Sequence, residues 1–121
     1  MGNTMKVLFI GDTPSRLNTD PNIAFIGSRS WPRLQDWIYR LGLNEEQFLI
    51  VNRTHKDFER WVKDSVNLSY KIVALGNEAS KALGDVNHYK LPHPSPKNLL
   101  TNDEELITMR LDECKLFLEK E

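Results

Sequence analysis

Short apolar runs alternate along this chain with longer stretches in which apolar residues recur every three or four positions. Apolar runs of about four to eight residues, bounded by glycine or polar residues, are typical of buried strands. The chain has three such runs and a shorter fourth segment: 6–11, 48–52, 71–76 and 88–91. Because apolar strands separated by helices indicate a parallel sheet covered on both faces, we expect an α/β fold. It would have three layers, α/β/α, around a central, mostly parallel four-stranded sheet in a single domain spanning residues 1–121.

Helical spacing marks the segments between and after these runs. The first helix is predicted to begin after a Ser30 cap and to end at Gly42. Capping boxes are predicted at Thr54–Asp57 for the second helix and at Thr101–Glu104 for the last, with a short helix between the third and fourth strands. The residues predicted to face the core are Trp31, Leu34, Trp37, Ile38 and Leu41, then Phe58, Trp61, Val62 and Val66, then Ile107, Leu111, Cys114 and Leu118.

The composition and charge limit the classes of protein to be considered. Hydrophobic residues make up 40% and charged residues 27% of the 121 residues, which is ordinary for a globular domain. The formal net charge is −1, so nucleic-acid binding would have to use a local patch. No apolar run approaches the ~18 residues of a membrane span, and the first run is typical of a strand, not of a signal peptide. We expect an intracellular, cytoplasmic monomer without a membrane segment.

The sequence also argues against a metal or a cofactor. The single cysteine, Cys114, excludes a disulfide framework and an all-cysteine metal or iron–sulfur site within one chain. No spacing of histidine, aspartate or glutamate suggests zinc, and no glycine-rich nucleotide-binding motif is present. We therefore expect neither a metal nor a cofactor.

Three segments directly follow predicted strands and carry the candidate chemistry. In open parallel sheets, ligands bind outside the carboxyl ends of the strands. The segments at those ends are "GDTPS" (11–15), "VNRTH" (51–55) and "LPHPSP" (91–96). The last is unusual because prolines surround one histidine, His93, and would hold its imidazole in a fixed direction.

Four short stretches carry a resemblance to a known family. They are "GDTPS" (11–15), "AFIGSRSW" (24–31), "VALGNEASKAL" (73–83) and "HPSP" (93–96). In this order and placement they resemble the motifs of the uracil-DNA glycosylase superfamily, whose members cut the bond between a base and deoxyribose. The resemblance covers most of the chain and implies a parallel α/β/α core with its site at the strand ends.

The resemblance implies roles for individual residues. Asp12 would position the attacking water or stabilise the cationic sugar, and His93 would donate a hydrogen bond to O2 of the departing base. Phe25 would stack on the extruded base, Asn52 would read the base edge through its amide, and Ser95 would hold a DNA phosphate. These residue types suit the reaction, because a carboxylate favours an oxocarbenium-like sugar and a hydrogen-bond donor favours an anionic base. An amide offers the donor and the acceptor that the mixed edge of uracil requires.

Some positions depart from the patterns of the family. Ser15 stands where one branch has glycine and another has a tyrosine that blocks the methyl group of thymine, so we expect Ser15 to leave room at C5 of the base. Asp12 stands where the iron–sulfur branch has a longer glutamate, and the cysteines of that branch are absent. Leu99 or Leu100 is a candidate wedge for the duplex. Candidate contacts to the DNA backbone are Arg29, Lys97 and Asn98.

Three functions remain open from the sequence. The first is a metal-free, monofunctional DNA glycosylase that uses water as nucleophile and has DNA as its partner. The second is a non-catalytic member of the fold that binds DNA or a protein partner, and the third is an enzyme acting on free nucleosides or nucleotides. DNA affinity and its salt dependence separate the first from the third. Arg53 and Lys56, beside the predicted site, either contact phosphates or are solvated charges.

Overall fold

The computed structural model describes residues 6–11, 31–94 and 103–119, which form one sheet with helices on both faces. The strands are β1 (Val7–Gly11), β2 (Phe48–Asn52), β3 (Lys71–Leu75) and β4 (Tyr89–Leu91). The helices are α1 (Trp31–Arg40), α2 (Phe58–Asn67), α3 (Asn77–Leu83) and α4 (Glu104–Glu119). The predicted strands and helices are all present. A 3₁₀ turn over Glu45–Gln47, which the apolar pattern did not predict, precedes β2.

The strands lie in the order β2-β1-β3-β4, and each neighbouring pair is parallel. Gly11 at the end of β1 lies opposite Asn52 at the end of β2. Leu75 at the end of β3 lies opposite Leu91 at the end of β4. The strands therefore finish at one common edge, which we call the carboxyl edge. This topology confirms the predicted α/β class, with a sheet that is parallel throughout its four described strands.

Strand residues alternate between two cores, one on each face of the sheet. Val7 and Phe9 of β1 pack on one face, and Leu8 and Ile10 pack on the other. The first core includes the buried residues of α1 and α4, and the second includes those of α2 and α3. All of β1 is buried, as its continuous apolar run and central position require.

α1 buries one face and ends where the sequence predicted. Its buried residues, Leu34, Trp37 and Ile38, recur at helical spacing. Gly42 has a φ of 79°, and the chain turns there because glycine adopts this conformation without a steric penalty. Ser30, the predicted cap, lies outside the described residues.

The predicted start of α2 is wrong. The helix begins at Phe58, and Asp57 precedes it without a side-chain hydrogen bond to the helix end. Thr54 lies in a tight turn, in which the backbone N–H of His55 donates to the carbonyl oxygen of Asn52 at 3.0 Å. Because the chain completes this turn before the helix begins, Thr54 comes too early to cap it.

The predicted buried face of α2 is only partly correct. Val62 and Ser65 are its buried residues, whereas 38% of Trp61 and 52% of Val66 are exposed. Val62 and Ser65 lie at the centre of the stripe that faces the sheet, and the two exposed residues lie on its flanks. The apolar spacing thus marked a stripe wider than the surface that the sheet covers.

α4 is capped by Asp103. The backbone N–H of Leu106 donates to Oδ1 of Asp103 at 3.1 Å, and the helix begins at Glu104. The predicted Thr101–Glu104 box is therefore wrong, and Thr101 itself lies outside the described residues. The buried residues of α4 are those that the spacing predicted: Ile107, Leu111, Cys114 and Leu118.

Candidate active site

The chain leaves the two central strands, β1 and β3, toward opposite sides of the sheet. From β1 the chain passes through α1 to β2 on one side, and from β3 it passes through α3 to β4 on the other. α1 and α3 lie on opposite faces of the sheet. In an open parallel sheet, this divergence leaves a crevice at the carboxyl ends of the two strands, where ligands bind. The candidate site therefore lies beyond Gly11 and Leu75.

Two predicted site residues border this crevice. Asn52 ends β2, directly beside Gly11 of β1, and His93 lies two residues after the end of β4, which neighbours β3. β2 and β4 are three interstrand spacings apart, roughly 14 Å at ~4.8 Å each. The structure thus brings an amide and an imidazole to one edge, on either side of the crevice.

Asn52 is a buried polar residue, with 4% of its surface exposed. Its backbone is fixed on both sides: its carbonyl oxygen accepts a hydrogen bond from His55, and the N–H of Arg53 donates to the carbonyl of Gly11, each at 3.0 Å. Its side-chain amide has no hydrogen-bond partner within the described part of the chain. Its amide offers both a hydrogen-bond donor and an acceptor at the end of the strand.

His93 is held between two buried anchors. Leu91 on one side and Pro94 on the other are almost completely buried, and His93 itself is half-buried. The carbonyl of Leu91 accepts a hydrogen bond from the N–H of Gly76 at 2.8 Å. Pro92 and Pro94 restrict the backbone on both sides of the histidine. The proline-rich stretch is therefore fixed to the sheet, which gives the imidazole a defined position.

The sequence predictions missed the residue against which His93 packs. Gly76 follows β3 with a φ of 102°, and a Cβ atom there would lie 3.1 Å from Cβ of His93. The only sequence signal is the glycine that ends "VALG". Because the contact depends on the pairing of β3 with β4, spacing along the chain does not reveal it.

The other two histidines have different surroundings. His88 donates from Nδ1 to the carbonyl of Val86 at 2.6 Å, and its Nε2 accepts from the hydroxyl of Ser80 at 2.8 Å. It directly precedes β4, so it lies away from the carboxyl edge and anchors the start of that strand. His55 lies in the turn after β2, where its Nδ1 accepts a hydrogen bond from the N–H of Asp57 at 3.0 Å.

Two groups with raised pKa values lie away from the crevice. Burial raises the pKa of Cys114 to about 12, so this thiol is not a nucleophile. Burial also raises the pKa of Tyr89, and the hydrogen bond from its hydroxyl to Glu113 acts in the same direction. Tyr89 begins β4 and therefore lies at the amino end of the strand. Neither group is a candidate for chemistry at the carboxyl edge.

The described part of the chain has neither a cluster of metal ligands nor a membrane-spanning helix. Within 6–11, 31–94 and 103–119, no group of three or more histidine, cysteine, aspartate or glutamate side chains could hold a metal ion. In the same ranges, no helix is both long and apolar enough to cross a bilayer.

The remaining predicted site residues lie outside the described residues. Asp12 immediately follows Gly11, the residue that ends β1 at the crevice. The others are Ser15, Phe25, Arg29, Ser95, Lys97, Asn98, Leu99 and Leu100. Their roles stay predictions.

The fold defines an α/β protein whose candidate site lies at the point where its strand connections diverge. The sequence model of the uracil DNA glycosylase superfamily matches residues 1–115, nearly the whole chain. The chain therefore belongs to the uracil-DNA glycosylase superfamily, which confirms the resemblance of the four motifs. This membership supports a glycosylase-type hydrolase at the level of the family. A comparison with curated proteins finds no match.

Proposed function

We propose that this chain is a monofunctional DNA glycosylase that hydrolyses the N-glycosidic bond of uracil or a related base in DNA. The base would be flipped into the crevice at the carboxyl edge. The observation that carries the proposal is the placement of Asn52 and His93 on either side of that crevice, in a member of this superfamily. Superfamily membership also implies DNA as the substrate.

In the proposed reaction, water adds to C1′ of the sugar and the bond from C1′ to the base nitrogen breaks. The base leaves with the bonding electrons and takes up a proton, and the products are an abasic site and the free base. His93 donates a hydrogen bond to O2, where negative charge develops as the bond lengthens. Asp12, which directly follows Gly11 at the end of β1, positions the water or stabilises the positive charge on the sugar.

Base recognition is assigned to Asn52 and Phe25. The Asn52 amide supplies one donor and one acceptor to the base edge, and its burial keeps water from competing for them. Flipping costs a few kcal/mol of lost stacking. Stacking of the base on Phe25 would recover part of that cost. Ser15 in place of the tyrosine of one branch would admit substituents at C5, so 5-substituted uracils belong to the proposed substrate range.

The test is an excision assay with the protein in excess over labelled single- and double-stranded oligonucleotides. Each oligonucleotide carries one uracil, 5-hydroxymethyluracil, hypoxanthine or mismatched thymine, and alkali then cuts any abasic site. We expect cleavage at uracil that falls about 100- to 1000-fold in His93→Ala, the usual loss when one such donor is removed. Asp12→Asn should also lose activity. His55→Ala serves as the matched control and should retain it.

Two results would contradict the proposed function and favour another one. If the folded protein cuts none of these oligonucleotides, it is a non-catalytic member of the superfamily, and its affinity for DNA becomes the next measurement. If it releases base from deoxyuridine but not from DNA, it acts on free nucleosides. Excision of uracil together with failure on every 5-substituted analogue would disprove only the role of Ser15.

A further inference from the structure

Three contacts join the end of β3 to the end of β4, and together we call them the β3–β4 clasp. The N–H of Gly76 donates to the carbonyl of Leu91 at 2.8 Å. Nζ of Lys90 donates to Oδ1 of Asn77 at 2.9 Å. The third contact is the packing of His93 against Gly76. All three lie at the carboxyl edge, where β3 borders the crevice.

The third contact leaves too little room for a side chain at position 76 unless a neighbouring atom shifts. A Cβ atom on Gly76 would lie 3.1 Å from Cβ, 3.6 Å from Cδ2 and 3.7 Å from Cα of His93. Carbon atoms pack best at about 3.5–4.0 Å, so the first of these distances is repulsive. His93 or the backbone at position 76 would have to give by a few tenths of an ångström. The nearest atom is Cβ of His93, which rotation of the ring cannot move, so any shift of His93 moves its backbone and carries the imidazole with it.

We propose that Gly76 is a positioning residue for His93, and that the β3–β4 clasp sets where the imidazole lies in the crevice. The contact itself is independent of the reaction, while its catalytic consequence rests on the proposed function. A hydrogen bond to developing charge requires close alignment, so a displaced ring would stabilise the departing base less well. Gly76 acts through His93 and need not touch the substrate.

Two other glycines with positive φ values serve as controls, because they occupy turns but do not contact His93. Gly42 and Gly84 also have positive φ values, of 79° and 57°, but a Cβ atom at either position would meet nothing within 4 Å. Alanine at any of the three positions therefore brings backbone strain. Only alanine at position 76 brings contact with His93.

The experiment compares Gly76→Ala with Gly42→Ala and Gly84→Ala by NMR of the histidine ring resonances. The signals of His93 are assigned by their loss in His93→Ala. We expect them to shift in Gly76→Ala and to stay in place in the two controls. In the excision assay, kcat should fall about 10- to 100-fold in Gly76→Ala with little change in KM, because the ring is misplaced and binding is kept.

Unchanged His93 resonances in folded Gly76→Ala would overturn the proposal. This holds whether or not the protein excises a base, so a failure of the proposed function remains distinguishable. If Gly76→Ala does not fold, Asn77→Ala takes its place, because it removes only the Lys90 contact. It should shift the His93 signals, whereas Lys81→Ala, which loses an exposed ion pair with Glu78 within α3, should not. Unchanged signals in Asn77→Ala would then reject the proposal.

Discussion

Asn52 and Ser65 are both polar and buried, yet their positions differ in a way that bears on function. Asn52 is 4% exposed and ends β2 at the carboxyl edge, whereas Ser65 is 2% exposed and lies on the inner face of α2. Serine is small, and its hydroxyl is easily accommodated within a helix. An asparagine amide has more hydrogen-bonding groups to satisfy. The amide of Asn52, unlike the hydroxyl of Ser65, is buried at the edge where ligands of parallel sheets bind.

Replacing Asn52 by alanine should reduce excision more than it reduces stability. Two hydrogen bonds to the base would be lost, together about 1–3 kcal/mol, so we expect kcat/KM on uracil-containing DNA to fall about 5- to 150-fold. The free energy of unfolding should change by about 1 kcal/mol or less, since no side-chain hydrogen bond within the described residues is broken. Single-turnover kinetics and urea unfolding measure the two effects. Ser65→Ala is the control and should leave excision unchanged. A large loss of stability with normal excision would make Asn52 a structural residue.

The helices differ in how far their tryptophans enter the core. Trp37 of α1 is 2% exposed and belongs to the core that also contains the buried residues of α4. Trp61 of α2 is 38% exposed, on the flank of a helix whose inner face is formed by Val62 and Ser65. The same residue type therefore contributes differently to the two faces of the sheet.

Alanine at these two positions should separate the contributions. Trp37→Ala should lower the free energy of unfolding by about 3–5 kcal/mol, because it removes a buried ring and leaves a cavity. Trp61→Ala should cost about 1 kcal/mol, as is usual for a partly exposed position. Urea denaturation followed by circular dichroism measures both without relying on tryptophan fluorescence. Similar losses for the two variants would contradict the burial difference.

Most elements could be predicted from the sequence because the signals for them are local. The apolar run of β1 and the helical spacing of Leu34, Trp37 and Ile38 depend only on neighbouring residues. The cap of α4 could not be predicted reliably, since Thr101 and Asp103 both precede the helix and only the path of the chain decides between them. Burial of a flanking residue such as Trp61 depends on how much of the helix the sheet covers.

Some residues of the candidate site could be predicted from the sequence, and one could not. Asn52 and His93 were found because each follows a strand, and the rule for parallel sheets brings strand ends together. Gly76 was not, because its contact with His93 forms only when β4 pairs with β3. The sequence signal for it was a glycine at a strand end, which is common where a chain turns.

Charge across the whole molecule constrains how the protein would hold DNA. The formal net charge is −1, so the protein as a whole does not attract a polyanion. Lys56 is exposed in the turn that follows Asn52, close to the carboxyl edge. Lys115 is exposed on α4, in the turn where the Phe117 ring contacts Nζ of Lys71, the first residue of β3 at the amino edge. These two lysines are therefore placed toward opposite edges of the sheet.

Substituting each of these lysines by glutamate should distinguish local from overall electrostatics. Both changes alter the net charge equally, so an effect of overall charge would be the same in the two variants. If Lys56 contacts a phosphate, Lys56→Glu should weaken binding to single-stranded DNA and reduce the salt slope of log K by about 0.7, the contribution of one phosphate contact. Lys115→Glu should leave that slope unchanged. Fluorescence anisotropy across a salt series measures both slopes, and equal slopes in the two variants would mean that Lys56 is a solvated charge. Because the crevice lies at the edge that carries Lys56, a nearly neutral protein can bind DNA there only if contacts of this local kind exist.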